Sequence, residues 1–250
     1  MKKIITLGAS IVLMSLTGCI TTVDGYQPPK PKEDSIRAKS YFDLGVAYME
    51  RKRYDLAEPK FQYSIEIKPT AEAYNALAVL YEEQHDNALA EETYKRLLAE
   101  FPDFALGYMN YYVFLCKYDR VGQINALSAK MQSKGKTLAA LGQIAAGNCA
   151  FDKGRKDKAI VYYKQALKYE PYSAGALLPL AQINYDKGFV EEAKKQVDLV
   201  NNQVGYSARS IYLAVLINRE LGNRLEERKY LRVLRTRFAG TEEAEKLLGD

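Results

Sequence analysis

The chain has few of the side chains that most often perform chemistry. Its 250 residues include one histidine, His85, and no tryptophan. A pair of histidine ligands and an HExxH zinc motif are therefore excluded. The sequence pattern places His85 in a turn, and paired carboxylates such as Glu82 and Glu83 are expected on solvent-facing helix surfaces. We therefore predict no catalytic residue, no metal site, no cofactor and no enzymatic activity.

Neither basic nor acidic residues are concentrated in one part of the sequence. The chain has 36 lysines and arginines against 31 aspartates and glutamates, which gives a net charge of +5. The two signs are interspersed along the sequence, whereas a nucleic-acid-binding surface groups its basic residues in a stripe. We therefore predict no nucleic-acid partner, no polybasic membrane surface and no small-molecule substrate.

Long hydrophobic runs are missing, and the one short run has the features of an export signal. Residues 4–16 are mostly apolar and follow Lys2 and Lys3. The run is too short to cross a bilayer, which takes about 20 residues. A basic start, a short apolar run and small residues at its end are typical of a secretory signal.

The residues that end this run resemble the lipobox of bacterial lipoproteins. They read LTGC at positions 16–19, which implies that residues 1–18 are removed and that Cys19 carries fatty acyl chains such as palmitate. Ile20 follows the cysteine, where an inner-membrane retention signal would have aspartate. The resemblance therefore implies the periplasmic face of the outer membrane. The alternative is an ordinary cleaved signal with a chance cysteine.

Residues 19–35 are predicted to form a tether between the anchor and the folded body. Three prolines and several charges in this stretch favour an extended chain. Asp34 and Ser35 are good N-cap residues, so the first helix is predicted to begin near Ile36. The folded body is then predicted to span residues 36–250.

Two stretches of the body carry eight residues at identical spacing, which is the spacing of the 34-residue tetratricopeptide repeat. Each such repeat is a hairpin of two helices, in which large side chains fill the space between the helices and small ones permit close crossing. A proline ends the second helix. The first set is Tyr41, Leu44, Gly45, Tyr48, Ala57, Phe61, Ser64 and Pro69. The second is Tyr74, Leu77, Ala78, Tyr81, Ala90, Tyr94, Leu97 and Pro102.

The pattern continues and predicts an all-α fold: a right-handed α-solenoid of about six tetratricopeptide repeats with a C-terminal capping helix. The third repeat is degenerate, because Tyr112 replaces the usual small residue and Ile124 the usual alanine. The capping helix is predicted from Thr241 to Leu248. The predicted repeats span approximately residues 38–70, 71–104, 105–138, 140–173, 174–207 and 208–240.

The first helix of each repeat is expected to line a groove. Positions 2, 5, 9 and 12 of the repeat face it, and in the first three repeats several of these positions are apolar. A solvent-facing groove with apolar side chains is typical of a surface that binds a short helix or strand of a partner. The alternative is that these side chains are buried between the repeats. The candidate binding residues are Phe42, Val46, Met49, Asn75, Val79, Met109 and Val113.

Two cysteines remain in the body. Cys116 and Cys149 are 33 residues apart and lie near the ends of the first helices of adjacent repeats, at similar height. This placement and an oxidising compartment predict a disulfide. The alternative is a pair of buried free thiols.

Six such repeats behind a lipobox resemble the PilF/PilW family of type IV pilus biogenesis lipoproteins. NYYVFLC at residues 110–116 and GNCAFDKGRKDKAIVYYKQAL at residues 147–167 resemble strings of that family, which also has the two cysteines. Tyr112 departs from the family, where glycine is usual.

The resemblance implies a pilotin without catalytic activity. Such a protein binds the outer-membrane secretin of the pilus and promotes its localisation and multimerisation. The alternative is a general periplasmic adaptor lipoprotein for peptidoglycan hydrolases or for outer-membrane protein assembly.

Substitution of the predicted lipidated residue tests the anchor. Cys19→Ser is expected to abolish labelling by radioactive palmitate and to release the chain from outer-membrane fractions, because no acyl chain can attach. Flotation of membranes from a host that lacks the pilus secretin measures this without retention by a partner. A variant that still floats with the outer membrane would refute the lipoprotein interpretation.

Overall fold

The computed structural model describes residues 31–249. The predicted signal, Cys19 and most of the predicted tether lie outside these described residues. Within them there are thirteen helices and no strand. The helices are α1 (Pro31–Glu50), α2 (Tyr54–Ile67), α3 (Ala71–Glu83), α4 (Asn87–Glu100), α5 (Ala105–Lys117), α6 (Val121–Ser133), α7 (Lys136–Asp152), α8 (Lys156–Tyr169), α9 (Ala174–Asp186), α10 (Val190–Gln203), α11 (Ala208–Glu220), α12 (Arg224–Arg237) and α13 (Glu242–Leu248).

The helices pack as six consecutive hairpins. In each hairpin a first helix (α1, α3, α5, α7, α9 or α11) packs against the second helix that follows it, and that second helix contacts the next first helix. Some first helices also contact one another, as α5 does with α7 and α9 with α11. The short α13 packs against α11 and α12. The prediction of an all-α solenoid of tetratricopeptide hairpins is confirmed.

Two predicted boundaries are displaced. Residues 31–35 are already helical, so the predicted start near Ile36 is wrong, and Asp34 lies inside α1 instead of serving as its N-cap. In the fourth repeat, α7 begins at Lys136, four residues before the predicted boundary at residue 140.

The hairpins are closed by a large residue of the second helix that packs against a small residue of the first. A Cβ atom added at Gly45 would lie 2.6 Å from the ring of Phe61, and one added at Gly147 would lie 2.5 Å from the ring of Tyr163. Real Cβ atoms do not approach other atoms this closely, because interiors are already close-packed. A side chain at either position would therefore force the facing ring to move.

The third repeat reverses this arrangement. The position of Gly45 is occupied by Tyr112, whose side chain is buried, and the position of Phe61, sixteen residues later, is occupied by Ser128. The large side chain therefore comes from the first helix and the small one from the second. Burial raises the pKa of Tyr112, and a hydrogen bond with Ser128 opposes this shift. The apparent degeneracy of this repeat is thus a compensated exchange of volume.

In each of the six hairpins an equivalent turn joins the two helices, and each turn contains one residue with positive φ. In the last three repeats this residue is glycine, with φ of 71° at Gly154, 79° at Gly188 and 72° at Gly222. In the first three repeats it is Lys52 (57°), His85 (61°) and Asp119 (52°). The expected position of His85 in an exposed turn is confirmed. A side chain in this left-handed conformation costs about 1–2 kcal/mol.

A disulfide joins the third and fourth hairpins. Cys116 at the end of α5 is bonded to Cys149 in α7, with 6.0 Å between their Cα atoms. This is the pairing expected from the sequence spacing. The bond crosses between two first helices, so it fixes α5 relative to α7 on the face where a partner is predicted to bind.

The strained turns generate a stability prediction. Lys52→Gly is expected to raise the free energy of unfolding by roughly 0.5–1 kcal/mol, because relief of the left-handed strain exceeds the entropy that glycine adds to the unfolded chain. Urea unfolding measures the change. Gly188→Ala is the matched control, since it introduces a side chain at the equivalent turn and should destabilise. A loss of stability in Lys52→Gly would contradict the interpretation.

The disulfide generates a second prediction. Closing a loop of this length stabilises by roughly 3–4 kcal/mol in the chain-entropy model. The double substitution Cys116→Ala and Cys149→Ala should therefore lower stability by about this amount, and reduction of the unaltered protein should give the same loss. Alkylation after denaturation without reductant, read by mass spectrometry, should label neither thiol. Labelling of both would show that the pair is not bonded.

Candidate protein-binding groove

The seven candidate binding residues lie on three successive first helices. Phe42, Val46 and Met49 are on α1, Asn75 and Val79 on α3, and Met109 and Val113 on α5. Six of them are partly buried, and Val113 has 57% of its surface exposed.

On α1 the candidate side chains belong partly to the core. The ring of Phe42 packs at a tilt against that of Phe61, with 5.9 Å between their centroids. Val46 and Met49 pack against the same core. This follows from the glycine at position 45, which lets Phe61 come close to α1 and contact the side chains beside it. Truncation of Phe42 would therefore lower stability as well as change the surface.

Polar contacts cross the middle of this face. Asn110 of α5 donates from Nδ2 to Oδ1 of Asn75 on α3 at 2.9 Å. In the same region the hydroxyl of Tyr94 donates to Oε1 of Glu82 at 2.5 Å. Burial raises the pKa of Glu82, while the bond from Tyr94 and the charge of Lys117 oppose the shift. Burial, with the bond to Glu82, raises the pKa of Tyr94 well above its usual value.

The fourth repeat contains a related contact. The hydroxyl of Tyr163 donates to Oδ1 of Asn148 at 2.8 Å, and burial raises the pKa of Tyr163 to about 12. Tyr94 and Tyr163 occupy the same position in their repeats. Both therefore extend from a second helix between the helices and end on a polar side chain of a first helix. Sequence reasoning assigned these tyrosines only to packing; their hydroxyl groups, absent from Phe61, were the available signal.

The most open apolar part of the face lies beside the disulfide. A depression of about 310 Å³ separates α5 from α7 and is lined by Val113, Cys116, Ala145, Asn148 and Cys149, with charged residues at its edge. Lys153 at this edge forms an ion pair with Asp119. An apolar floor with a charged rim fits a protein segment that inserts one or two apolar side chains.

A larger depression of about 560 Å³ lies on the opposite side, between α2 and α4. Its apolar residues are Ile65, Tyr74, Leu77, Tyr81 and Leu89. It contains none of the seven candidate residues. We take the smaller depression as the candidate site because it lies on the face of the first helices and adjoins Val113.

Other kinds of site find no support in the part of the chain that the structure describes. Between residues 31 and 249 no cluster of three or more His, Cys, Asp or Glu side chains could hold a metal ion. Over the same residues no helix has the length and apolar character of a membrane span.

Comparison with known proteins agrees with the repeat architecture. Tetratricopeptide repeat models match residues 42–105 and 150–205. The curated type IV pilus assembly protein PilF of Pseudomonas aeruginosa is 24% identical over 239 residues, which cover 92% of each chain.

Two solved structures share the fold over most of the chain. That of Pseudomonas aeruginosa PilF is 22% identical, covers 86% of this chain and 98% of its own, and superposes with a TM-score of 0.51. The structure of PilW, described as a widely conserved type IV pilus biogenesis factor, is 23% identical in sequence. It covers 84% of this chain and 98% of its own, and superposes with a TM-score of 0.52. The chain therefore contains tetratricopeptide repeats and resembles PilF and PilW along nearly its whole length.

Proposed function

We propose that the chain is a non-catalytic scaffold that binds a protein partner on the face of its first helices. The observation that carries this proposal is the apolar depression between α5 and α7, where Val113 is exposed beside the disulfide. An exposed apolar side chain over a rigid floor is suited to recognition, because little ordering is required on binding. The disulfide supplies this rigidity by fixing the two helices that form the walls.

The proposed biological role is type IV pilus biogenesis, with the pilus secretin as partner. The likeness to PilF covers 92% of both chains, so it includes the whole repeat array and not one common hairpin. The proposed action is that of a pilotin: the groove holds a secretin segment and promotes localisation and multimerisation of the secretin in the outer membrane. The matched repeat models describe no catalytic family, which supports a scaffold.

The proposed location is the periplasmic face of the outer membrane, with the chain anchored through acylated Cys19. The lipobox-like LTGC string at residues 16–19 supports it. An anchor of this kind would hold the solenoid near the membrane in which a secretin assembles. The groove would remain free, because the predicted tether joins the first helix and not the depression between α5 and α7.

A substitution in the depression tests the proposal. Val113→Glu should reduce copurification of the secretin and the amount of secretin multimer by about tenfold or more, because it places a charge in the apolar contact. The stability of the chain should change by less than about 1 kcal/mol, since the side chain is already exposed. Val161→Glu is the matched control: Val161 is 56% exposed and lies on α8, a second helix.

The comparison of the two variants decides the outcome. Loss of multimers with Val113→Glu and retention with Val161→Glu supports the groove. If both variants copurify equal amounts of secretin and secretin multimer, binding at this depression is contradicted. If the unaltered protein retains peptidoglycan hydrolases or outer-membrane assembly factors but no secretin, the pilotin role is wrong and the general adaptor role is supported.

A further inference from the structure

We infer that the exposed face of α12 is a second docking surface and that it binds an acidic helix of a partner protein. The surface is separate from the groove, so the inference does not depend on the proposed function. It rests on the contacts that the equivalent face of the second helix makes in earlier repeats, and on the arginine side chains that stand on this face in α12.

In earlier repeats this face of the second helix packs against the following repeat. On α2, Glu58 accepts a hydrogen bond from the hydroxyl of Tyr81 at 3.1 Å, and Ile65 is buried. On α4, Glu91 accepts one from Gln123 of α6, and Leu98 is 3% exposed. The face is therefore a stacking surface, used between consecutive hairpins.

In α12 the positions of Glu58 and Ile65 are occupied by Arg228 and Arg235, and Arg224 and Arg232 extend the same side of the helix. They form the arginine face, which consists of Arg224, Arg228, Arg232 and Arg235. The spacing of four, four and three residues places them on one side of the helix over about 16 Å. All four side chains are exposed, and at the position of Arg235 the first two repeats have Ile65 and Leu98, which are buried. No helix between residues 31 and 249 covers them: they remain exposed although α13 contacts α11 and α12.

The arginine face has a hydrogen bond within its own helix, from Nε of Arg228 to the carbonyl oxygen of Arg224 at 3.2 Å, but no carboxylate partner among the described residues. The nearest acidic side chains are engaged elsewhere, Glu226 with Lys229 at 2.9 Å and Glu227 with Arg219 at 2.7 Å. Among residues 31–249 none of the four arginines has a carboxylate within ion-pair distance. Four like charges in a row repel one another, so an array of this kind gains most from an anionic ligand that spans it.

The choice of arginine indicates how the ligand is recognised. The chain has 23 lysines and 13 arginines, yet α12 has five arginines and one lysine. If the polar surface at this end of the solenoid served only solubility, lysine and arginine would be equally suitable. The planar guanidinium group binds carboxylates through two parallel hydrogen bonds, and arginine is enriched in protein interfaces while lysine is depleted.

A protein helix fits the face better than a bilayer surface. Helices that bind in a membrane interface insert a broad apolar face. On α12 the buried positions Tyr230 and Leu234 are already used in the core, and only Leu225, at one end, is strongly exposed. A helix with aspartate or glutamate at the matching spacing of four, four and three residues would pair with all four arginines.

The test uses the full chain in detergent and two fluorescein-labelled, alanine-rich helical peptides of identical composition. The patterned peptide carries four glutamates at the spacing of the arginine face, and the dispersed peptide carries them around the helix. Fluorescence anisotropy should show at least about tenfold tighter binding of the patterned peptide, because only it presents all four carboxylates at once. Added salt should weaken the binding.

Three double variants assign the binding to the face. Arg228→Glu with Arg232→Glu should lose about tenfold or more in affinity for the patterned peptide. Arg228→Lys with Arg232→Lys retains the charge and should bind more weakly than the unaltered protein, because lysine lacks the planar fork. Lys164→Glu with Lys168→Glu is the control, since both lysines are exposed on α8 and the charge change is the same. Circular dichroism melting confirms that each variant is folded.

The results that would contradict the inference can be told apart. Absence of patterned-peptide binding, or equal binding of the two peptides, would overturn the inference. Retention of binding in the Arg228→Glu, Arg232→Glu variant would also overturn it. Sedimentation with phosphatidylglycerol vesicles that requires the arginine face, without peptide binding, would assign the surface to lipid. Self-association that requires this face, again without peptide binding, would assign it to a second copy of the chain.

Discussion

The close approach of a large and a small side chain inside each hairpin is the constraint on which the rest of the structure depends. Phe61 against Gly45 and Tyr163 against Gly147 bring the two helices together at distances that exclude any additional carbon atom. The third hairpin meets the same constraint with the sizes exchanged between Tyr112 and Ser128. Because the volume is conserved, the stacking direction continues, and α5 still reaches α7 closely enough for the disulfide.

The polar features of the groove follow from the same packing. A tyrosine that fills the space between two helices must give its hydroxyl group a partner, because an unpaired buried hydroxyl is costly. Tyr94 and Tyr163 reach Glu82 and Asn148 for this reason. Core packing thereby fixes polar side chains on the face of the first helices. The apolar depression next to Val113 lies among these ordered groups.

Most of the architecture could be predicted from the sequence, because repeated spacing such as that from Tyr41 to Pro69 constrains many positions at once. The features that were missed depend on partners in space. Tyr112 looked like a defect because its compensation by Ser128 lies on another helix. The arginine face was not predicted, because the net charge of the chain gives no information on which residues share one side of α12. Asp34 and Ser35 were read as the N-cap, although both residue types also occur inside the start of a helix.

The disulfide has a mechanical consequence. A solenoid whose hairpins contact mainly their neighbours yields to a pulling force from its ends, one hairpin after another. The bond between Cys116 and Cys149 links the third hairpin to the fourth. A force applied at the N-terminus could peel α1 to α4 away, but the covalent link would then carry the load directly into α7. The bridge thus shields residues 117–148, which include α6, from the pulling force, whereas the hairpins on either side of it remain extensible.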